Sequence, residues 1–365
     1  MHDPQVQAAF TAAKEDFDAG RRDPALAALD RLLEARPDDL ALWSTRGLWL
    51  EALGRRAEAL AAFRRSTAIR PTYADHYNAG NMLLALGRPE EALAEYAASL
   101  ACWDRYPEAW TNHGIAEHQL GRLEASARSF ERALAIAADF VPALRYQAIV
   151  RRERGDQGGS EASYARIAEL RPDDPAAWRE LGCALGELAL DRHLDLDPGG
   201  REWRALEALG RAIALAPGHP RAWIVKAEVL GRLYHANVAF RRFVRGRFEY
   251  EAGPLTTGRF HDEQLAHCEA AARRFPDLAC FPIARAAALE FAGDLDGALE
   301  ARRQACAAAP GDGAAHLELA FALADRDRTG ALAALRRALA LDPRLEREAY
   351  DGFDAATIAA AKSPG

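Results

Sequence analysis

A proline returns along this chain at intervals close to 34 residues. It occupies Pro37, Pro71, Pro172, Pro217, Pro276, Pro310 and Pro343, and it closes a stretch of strong helix formers each time. Asp104 and Ala138 hold the equivalent places between Pro71 and Pro172. A fixed period of this length indicates stacked helical units, because each unit can bury its apolar face only against its neighbours.

The second unit shows the internal pattern most completely. Its marked residues are Trp43, Gly47, Leu50, Gly54, Ala59, Phe63, Ser66 and Pro71. This spacing resembles the tetratricopeptide repeat, which has an aromatic residue, a glycine four residues later, small residues, a second aromatic and a terminal proline. The resemblance implies an all-α, right-handed superhelical solenoid of helix-turn-helix repeats.

Glycine is expected at two positions of this unit for different physical reasons. Gly47 lies on the stripe of the first helix that faces the second, so we expect it to permit a close approach of the two helices. Gly54 follows the first helix, where a left-handed backbone conformation costs glycine little. Pro71 cannot continue a helix and therefore sets the corner into the next unit.

The same pattern divides nearly the whole chain into about nine units. The sixth unit is longer than the period by about 11 residues and the seventh by about 25, and both are interpreted as repeats with insertions. Residues 344–365 are predicted to be a capping helix and tail that cover the last apolar face. The units are expected near 6–39, 40–72, 73–106, 107–140, 141–174, 175–219, 220–278, 279–311 and 312–343.

Composition limits the partners and the location. A net charge of −7 does not supply the broad basic surface that nucleic-acid phosphates require. No apolar run reaches the ~18 residues needed to cross a bilayer. The N-terminus does not read as a secretory signal, and five scattered cysteines do not suggest a disulfide framework. We therefore expect a cytoplasmic protein that binds neither nucleic acid nor membrane.

Motifs for catalysis are missing from the sequence. It has no phosphate-binding Walker loop, no dinucleotide glycine fingerprint, no Gly-x-Ser-x-Gly and no His-Glu-x-x-His. His113 and His118 are five residues apart, a spacing that does not pair them on one helix face for zinc. We predict a protein that is not an enzyme and needs no metal or cofactor.

The family resemblance places a candidate partner-binding groove on the first helices of the third to fifth units. In the family, residues just after the aromatic position of each first helix line the inner surface. The positions that match here are Tyr77, Asn78, Asn81, Thr111, Asn112, His118, Arg145 and Tyr146. We expect the amides and Arg145 to make polar contacts and the tyrosines to make apolar ones.

Two recognition modes known in the family remain open for this groove. Asn78 and Asn112 occupy the same place in successive units, and they resemble the start of the asparagine ladder with which the array of O-linked N-acetylglucosamine transferase holds extended peptide. Asn81 and Asn112 also match the two asparagines of the carboxylate clamp of chaperone-binding members. However, Tyr77, Pro142 and Tyr146 stand where that clamp has basic residues.

The insertion of the seventh unit, within residues 234–260, is chemically unlike the rest of the chain. It combines arginines with aromatic residues, and its second half has the composition of a loop. One interpretation extends a helix whose aromatic residues pack on the array, and the other is a docking element. The candidate docking residues are Phe240, Arg241, Arg242, Phe243, Arg245, Arg247, Phe248 and Tyr250.

Two functional hypotheses follow from these observations. The first is an interaction scaffold or adaptor that binds a peptide or partner protein in its groove, by backbone hydrogen bonds and apolar pockets. The alternative is a non-catalytic accessory or regulatory subunit of a separately encoded protein-modifying enzyme.

Overall fold

The computed structural model describes residues 4–187, 200–231 and 257–362. The chain divides into two compact units, residues 1–170 and 171–365. The first compact unit is built of consecutive helical pairs joined by short turns. Its helices are α1 (Pro4–Asp18), α2 (Arg22–Ala35), α3 (Leu40–Ala52), α4 (Arg56–Ile69), α5 (Tyr73–Ala85), α6 (Pro89–Cys102), α7 (Pro107–Gln119), α8 (Leu123–Ile136), α9 (Val141–Glu153) and α10 (Gln157–Leu170).

The second compact unit is also helical. Its helices are α11 (Pro175–Glu187), α12 (Arg201–Leu215), α13 (residues 220–231), α14 (Thr257–Arg274), α15 (Cys280–Ala292), α16 (Leu295–Ala308), α17 (Gly313–Leu323), α18 (Arg328–Leu341), α19 (Glu346–Ala349) and α20 (Ala355–Lys362), with a 3₁₀ turn at Pro343–Leu345. The described residues contain no strand, so the prediction of an all-α repeat array is confirmed for them. No described helix is long and apolar enough to span a bilayer.

The glycines of the repeat have the two predicted roles, which are to permit a close helix approach and to end a helix. A Cβ added to Gly47 would lie 2.5 Å from the ring of Phe63, and one added to Gly80 would lie 2.6 Å from the ring of Tyr96. In these two pairs the helices can close onto the aromatic ring because the glycine has no Cβ. Gly54 has a φ of +73°, the left-handed conformation expected at the end of a first helix.

The aromatic residue that opens a repeat also fixes the preceding corner. The indole N–H of Trp43 donates to the carbonyl of Pro37 at 2.8 Å, and Trp110 makes the same bond to Asp104 at 2.8 Å. Trp178 and Trp223 repeat it with the carbonyls of Pro172 and Pro217. Asp104 therefore occupies the corner place although it is not a proline.

A buried carboxylate joins the second and third helical pairs. Asp75 of α5 is 3% exposed and accepts hydrogen bonds from the hydroxyls of Ser44 at 2.8 Å, Ser66 at 2.7 Å and Thr72 at 2.9 Å. A buried charge is tolerated when several donors satisfy it. This cluster ties α3, α4 and α5 together.

The first helices of neighbouring pairs lie side by side. Helix α5 contacts α7, and α7 contacts α9. The aromatic core residues Phe63, Tyr96 and Phe130 are fully buried between the helices. The side chains that α5 and α7 do not use in this core are thus available to form one continuous surface.

Candidate functional site

A hydrogen-bond network of two amides and two phenols connects α5, α6 and α7. The hydroxyl of Tyr96 donates to Oδ1 of Asn81 at 2.8 Å, and Nδ2 of Asn112 donates to the same oxygen at 2.8 Å. Nδ2 of Asn112 also donates to the hydroxyl of Tyr77 at 3.1 Å. We call Tyr77, Asn78, Asn81 and Asn112 the amide surface.

The network leaves hydrogen-bonding capacity at this surface. It uses the amide nitrogen of Asn112 but not its carbonyl oxygen Oδ1. Asn78, one turn before Asn81 on α5, is partly exposed, and its side chain forms no hydrogen bond with another described residue. Asn112 is held in place by the network, while Asn78 keeps both its donor and its acceptor. This combination suits the alternating N–H and C=O groups of an extended peptide.

Both phenols of the network stay protonated at neutral pH. Burial raises the pKa of Tyr77, and the nearby carboxylates of Glu108 and Glu51 raise it further, although the bonds from Asn81 and Asn112 oppose this. Burial also raises the pKa of Tyr96 strongly. Each hydroxyl therefore keeps its proton and remains a donor.

Four aromatic rings pack together beside the amide surface. The centroid of Tyr73 lies 4.8 Å from that of Trp103 and 5.3 Å from that of Tyr106. Tyr106 in turn lies 5.4 Å from Trp103, nearly parallel to it, and 4.9 Å from Tyr77. We call Tyr73, Tyr77, Trp103 and Tyr106 the aromatic cluster, and Tyr77 belongs to both sets.

Two of the four rings of the aromatic cluster are exposed to solvent, and the other two are partly buried. Tyr73 is 40% exposed and Trp103 is 43% exposed, and both are among the most exposed large hydrophobic residues of the described chain. Burial, helped by Tyr77 and Glu108, raises the pKa of Tyr106 to about 12. A contiguous group of exposed rings of this kind typically marks an interaction surface.

Two carboxylates act on Tyr77 and Tyr106. The carboxylate of Glu108, in the first turn of α7, acts on both Tyr77 and Tyr106, and Glu51 of α3 acts on Tyr77. Burial raises the pKa of Glu51. An anionic group placed here would be repelled, and a cationic one would be attracted.

Comparisons with known proteins agree with this architecture. The tetratricopeptide-repeat family model matches residues 10–74 and 77–140. The solved structure of PilW, a widely conserved type IV pilus biogenesis factor, superposes with a TM-score of 0.50 at 19% identity, covering 60% of this chain and 97% of that one. Tetratricopeptide repeats are therefore shown within residues 10–140.

Other similarities are partial. MamA from Desulfovibrio magneticus RS-1 has a TM-score of 0.45 at 17% identity, covering 48% of this chain and 99% of that one. Protein CTR9 homolog of Arabidopsis thaliana is 38% identical over 114 residues, which are 28% of this chain and 10% of that protein. The chain thus spans about a tenth of the length of that curated relative.

Of the eight residues predicted for the groove, the structure brings Tyr77, Asn81 and Asn112 into direct contact. Asn78 lies on the same helix as Tyr77 and Asn81. Thr111 is only 2% exposed, and its hydroxyl donates to the carbonyl of Pro107 at 2.7 Å. Its short side chain folds back onto α7, so Thr111 is not accessible to a partner at this surface.

The remaining groove residues lie farther along the repeats. Nε2 of His118 is 2.8 Å from Oε2 of Glu153, which joins α7 to α9. Tyr146 stacks on Phe130, with centroids 6.0 Å apart, and Arg145 beside it is partly buried. These three predicted residues flank the amide surface and are not part of its hydrogen-bond network.

The predicted docking residues between Phe240 and Tyr250 lie outside the described residues. Tyr73, Trp103 and Tyr106 are not among the residues predicted for the groove. Aligning the residues that lie two places after each corner would have pointed to Tyr73 and Tyr106. In successive repeats this place is held by Asp39, Tyr73, Tyr106, Phe140 and Asp174. Three successive repeats thus have an aromatic residue where those on either side have an aspartate.

Proposed function

We propose that this protein is an interaction scaffold that binds an extended peptide segment of a partner protein on the amide surface. The observation that supports this most is the network in which Tyr96 and Tyr77 fix Asn81 and Asn112. An amide held in place loses little further side-chain entropy when it binds. The amide groups that have no hydrogen-bond partner can bind the free backbone N–H and C=O groups of an extended peptide, and the exposed rings beside them can contact its side chains.

The same surface disfavours recognition of a C-terminal carboxylate. That mode needs basic side chains next to the two asparagines, and the charged groups acting on Tyr77 are the carboxylates of Glu108 and Glu51. A terminal carboxylate near these groups would meet like charge. We therefore favour an internal peptide segment over a chain terminus.

The test is a selection of peptide ligands with matched variants. A phage-displayed library of peptides, about 12 residues long, is selected on the full chain, and the affinity of the enriched peptides is measured by isothermal titration calorimetry. A neutral hydrogen bond is worth about 0.5–1.5 kcal/mol net. We therefore expect Asn112→Ala to weaken binding by roughly tenfold or less, and Asn78→Ala together with Asn112→Ala to weaken it further.

The control is Gln119→Ala, which removes an exposed amide from the same helix, α7, outside the network. Circular dichroism checks that each variant keeps its helical content. Enriched peptides that bind the double asparagine variant as tightly as the unaltered chain would refute the proposal for this surface.

A further inference from the structure

We infer that the aromatic cluster binds a proline-rich segment that carries a lysine or arginine beside its prolines. This inference rests on the proposed function, because Tyr77 belongs to both the amide surface and the aromatic cluster. It goes further by stating the chemistry of the peptide. Three observations support it: the place of the rings in the repeat, the free polar edge of Trp103 and the surrounding carboxylates.

Two rings of the cluster, Tyr73 and Tyr106, occupy a place where the chain elsewhere has a capping aspartate, although Thr72 caps the helix that begins at Tyr73. Asp39 caps α3 by accepting from the backbone N–H of Ala41 and Leu42 at 3.1 and 3.4 Å. Tyr106 and Phe140 hold the same place before α7 and α9, and neither provides a side-chain cap. An aspartate would stabilise these helix starts. A position that lacks a capping side chain and has a partly exposed ring instead is a candidate for function.

Trp103 departs from the repeat in a second way. Phe275 is the one other aromatic residue at this place, which directly precedes the corner. In most other repeats the place is held by an arginine, an alanine or an aspartate: Arg36, Arg70, Ala137, Arg171, Ala216, Ala309 and Asp342. Indoles at the repeat's own aromatic position, such as that of Trp110, donate their N–H to a corner carbonyl. The indole N–H of Trp103 forms no hydrogen bond with another described residue, and its side chain is 43% exposed. Trp103 therefore offers both an open face and an unused donor.

A proline-rich peptide can use both the open face and the free indole N–H of Trp103. A polyproline II helix has no internal hydrogen bonds, so its carbonyls accept from outside donors such as the Trp103 indole and the Tyr77 hydroxyl. Its flat, rigid rings pack on tyrosine and tryptophan faces, and little conformational entropy is lost on binding. An α-helical partner has already used its backbone carbonyls and would leave these donors unpaired.

The charge at the cluster selects the residue that accompanies the prolines. Glu108 acts on Tyr77 and Tyr106, and Glu51 acts on Tyr77. A lysine or arginine beside the prolines would lie near these carboxylates and above exposed aromatic faces, and both interactions favour a cation. An acidic flank would be repelled.

The inference is tested by fluorescence anisotropy on the full chain. The probe is a labelled peptide of ten prolines ending in one lysine, and the comparison peptide has a serine in place of every proline. We expect the serine peptide to bind at least about tenfold more weakly, since it is flexible and has no rings. Trp103→Ala should weaken binding of the proline peptide by about tenfold or more.

Matched variants separate the contributions. Tyr350→Ala removes an exposed tyrosine, 53% exposed, from the other compact unit and should not change the affinity. Tyr73→Ala repeats the test at a second ring, with circular dichroism to check folding. Glu108→Gln should weaken the lysine-bearing peptide by about two- to fivefold and leave an otherwise identical peptide without lysine unaffected.

Several results would overturn the inference. Equal affinity for the serine and proline peptides would overturn it. So would a proline peptide that binds both Trp103→Ala and Tyr73→Ala as tightly as it binds the unaltered chain. Binding of an amphipathic helical peptide in place of the proline peptide would also do so. If library-selected peptides depend on Asn78 and Asn112 but not on Trp103, the proposed function stands and this inference falls. If they depend on none of the three, both fall.

Discussion

At the scale of single residues, His267 of α14 shows how burial becomes a dependence of stability on pH. Its ring is 8% exposed, stacks on Trp223 with centroids 4.9 Å apart, and its Nε2 lies 2.9 Å from the carbonyl oxygen of Trp223. Burial lowers the pKa of His267 to about 4, partly opposed by the Trp223 carbonyl and assisted by Lys226. The neutral imidazole is thus the folded form, with Nε2–H donating to that carbonyl.

The first prediction concerns acid destabilisation through this histidine. In the unfolded chain the histidine binds a proton below pH ~6.5, whereas in the folded chain it does so only below about pH 4. The contribution of the neutral imidazole to the free energy of unfolding is therefore complete above pH ~6.5 and is lost as the pH falls from there towards 4. We expect His267 to account for about 2 kcal/mol of lost stability between pH 7 and pH 5.

The measurement is urea unfolding of the unaltered chain and of His267→Phe at both pH values. The variant keeps a ring to stack on Trp223 but has no titrating group, so its stability should fall less on acidification. Because the other titrating groups are common to both proteins, they cancel in the difference. Equal losses in the two proteins would contradict the assignment to His267.

At the scale of elements, the junction of the second and third helical pairs depends on one carboxylate. Asp75 accepts from hydroxyls of α3, α4 and the residue that caps α5. Asp75→Ala leaves these donors without their acceptor, and Ser66 among them is completely buried. We expect a loss of about 2–3 kcal/mol in the free energy of unfolding, since hydrogen bonds to a charged group are the stronger kind. Urea unfolding followed by circular dichroism measures it.

Two companion variants make this prediction specific. Asp75→Asn keeps one carbonyl acceptor and should cost less than Asp75→Ala. Asp38→Ala removes a carboxylate that is 81% exposed and lies 3.6 Å from Arg65, and it should change stability by less than about 0.5 kcal/mol. A cost for Asp75→Ala no larger than that for Asp38→Ala would show that the buried cluster does not hold these elements together.

At the level of elements, the sequence predicts the helix ends and close helix contacts that are determined within one repeat. The recurring proline and the glycine near +73° locate helix ends, and Gly47 predicts the approach to Phe63, because these constraints act between residues less than 20 apart. The aromatic cluster depends instead on Tyr73 and Trp103, 30 residues apart, meeting across a helical pair. The burial of Thr111 likewise depends on packing that its own helix does not determine.

At the scale of the whole molecule, a chain of repeats should respond to damage locally. Each repeat contacts chiefly its neighbours, so stability is close to a sum of repeat and interface contributions. Helix α7 contacts α5, α6, α8 and α9, and Gly114 lies at its centre. The expected consequence is that a disturbance at Gly114 weakens adjacent helices and decays along the chain.

The change that tests this is Gly114→Leu. A Cβ alone would come within 2.9 Å of the Phe130 ring and 3.1 Å of Ser129, so a leucine must push α7 and α8 apart at a cost of about 1–3 kcal/mol or more. Hydrogen-exchange mass spectrometry should show faster exchange in α6 to α9, while α17 and α18 keep the rates of the unaltered chain. Gln119→Ala on the same helix serves as the control and should leave exchange unchanged. A uniform rise along all described helices would mean instead that the array unfolds as one cooperative body, and the candidate surface on α5 and α7 would then lose its structure together with the most distant repeats.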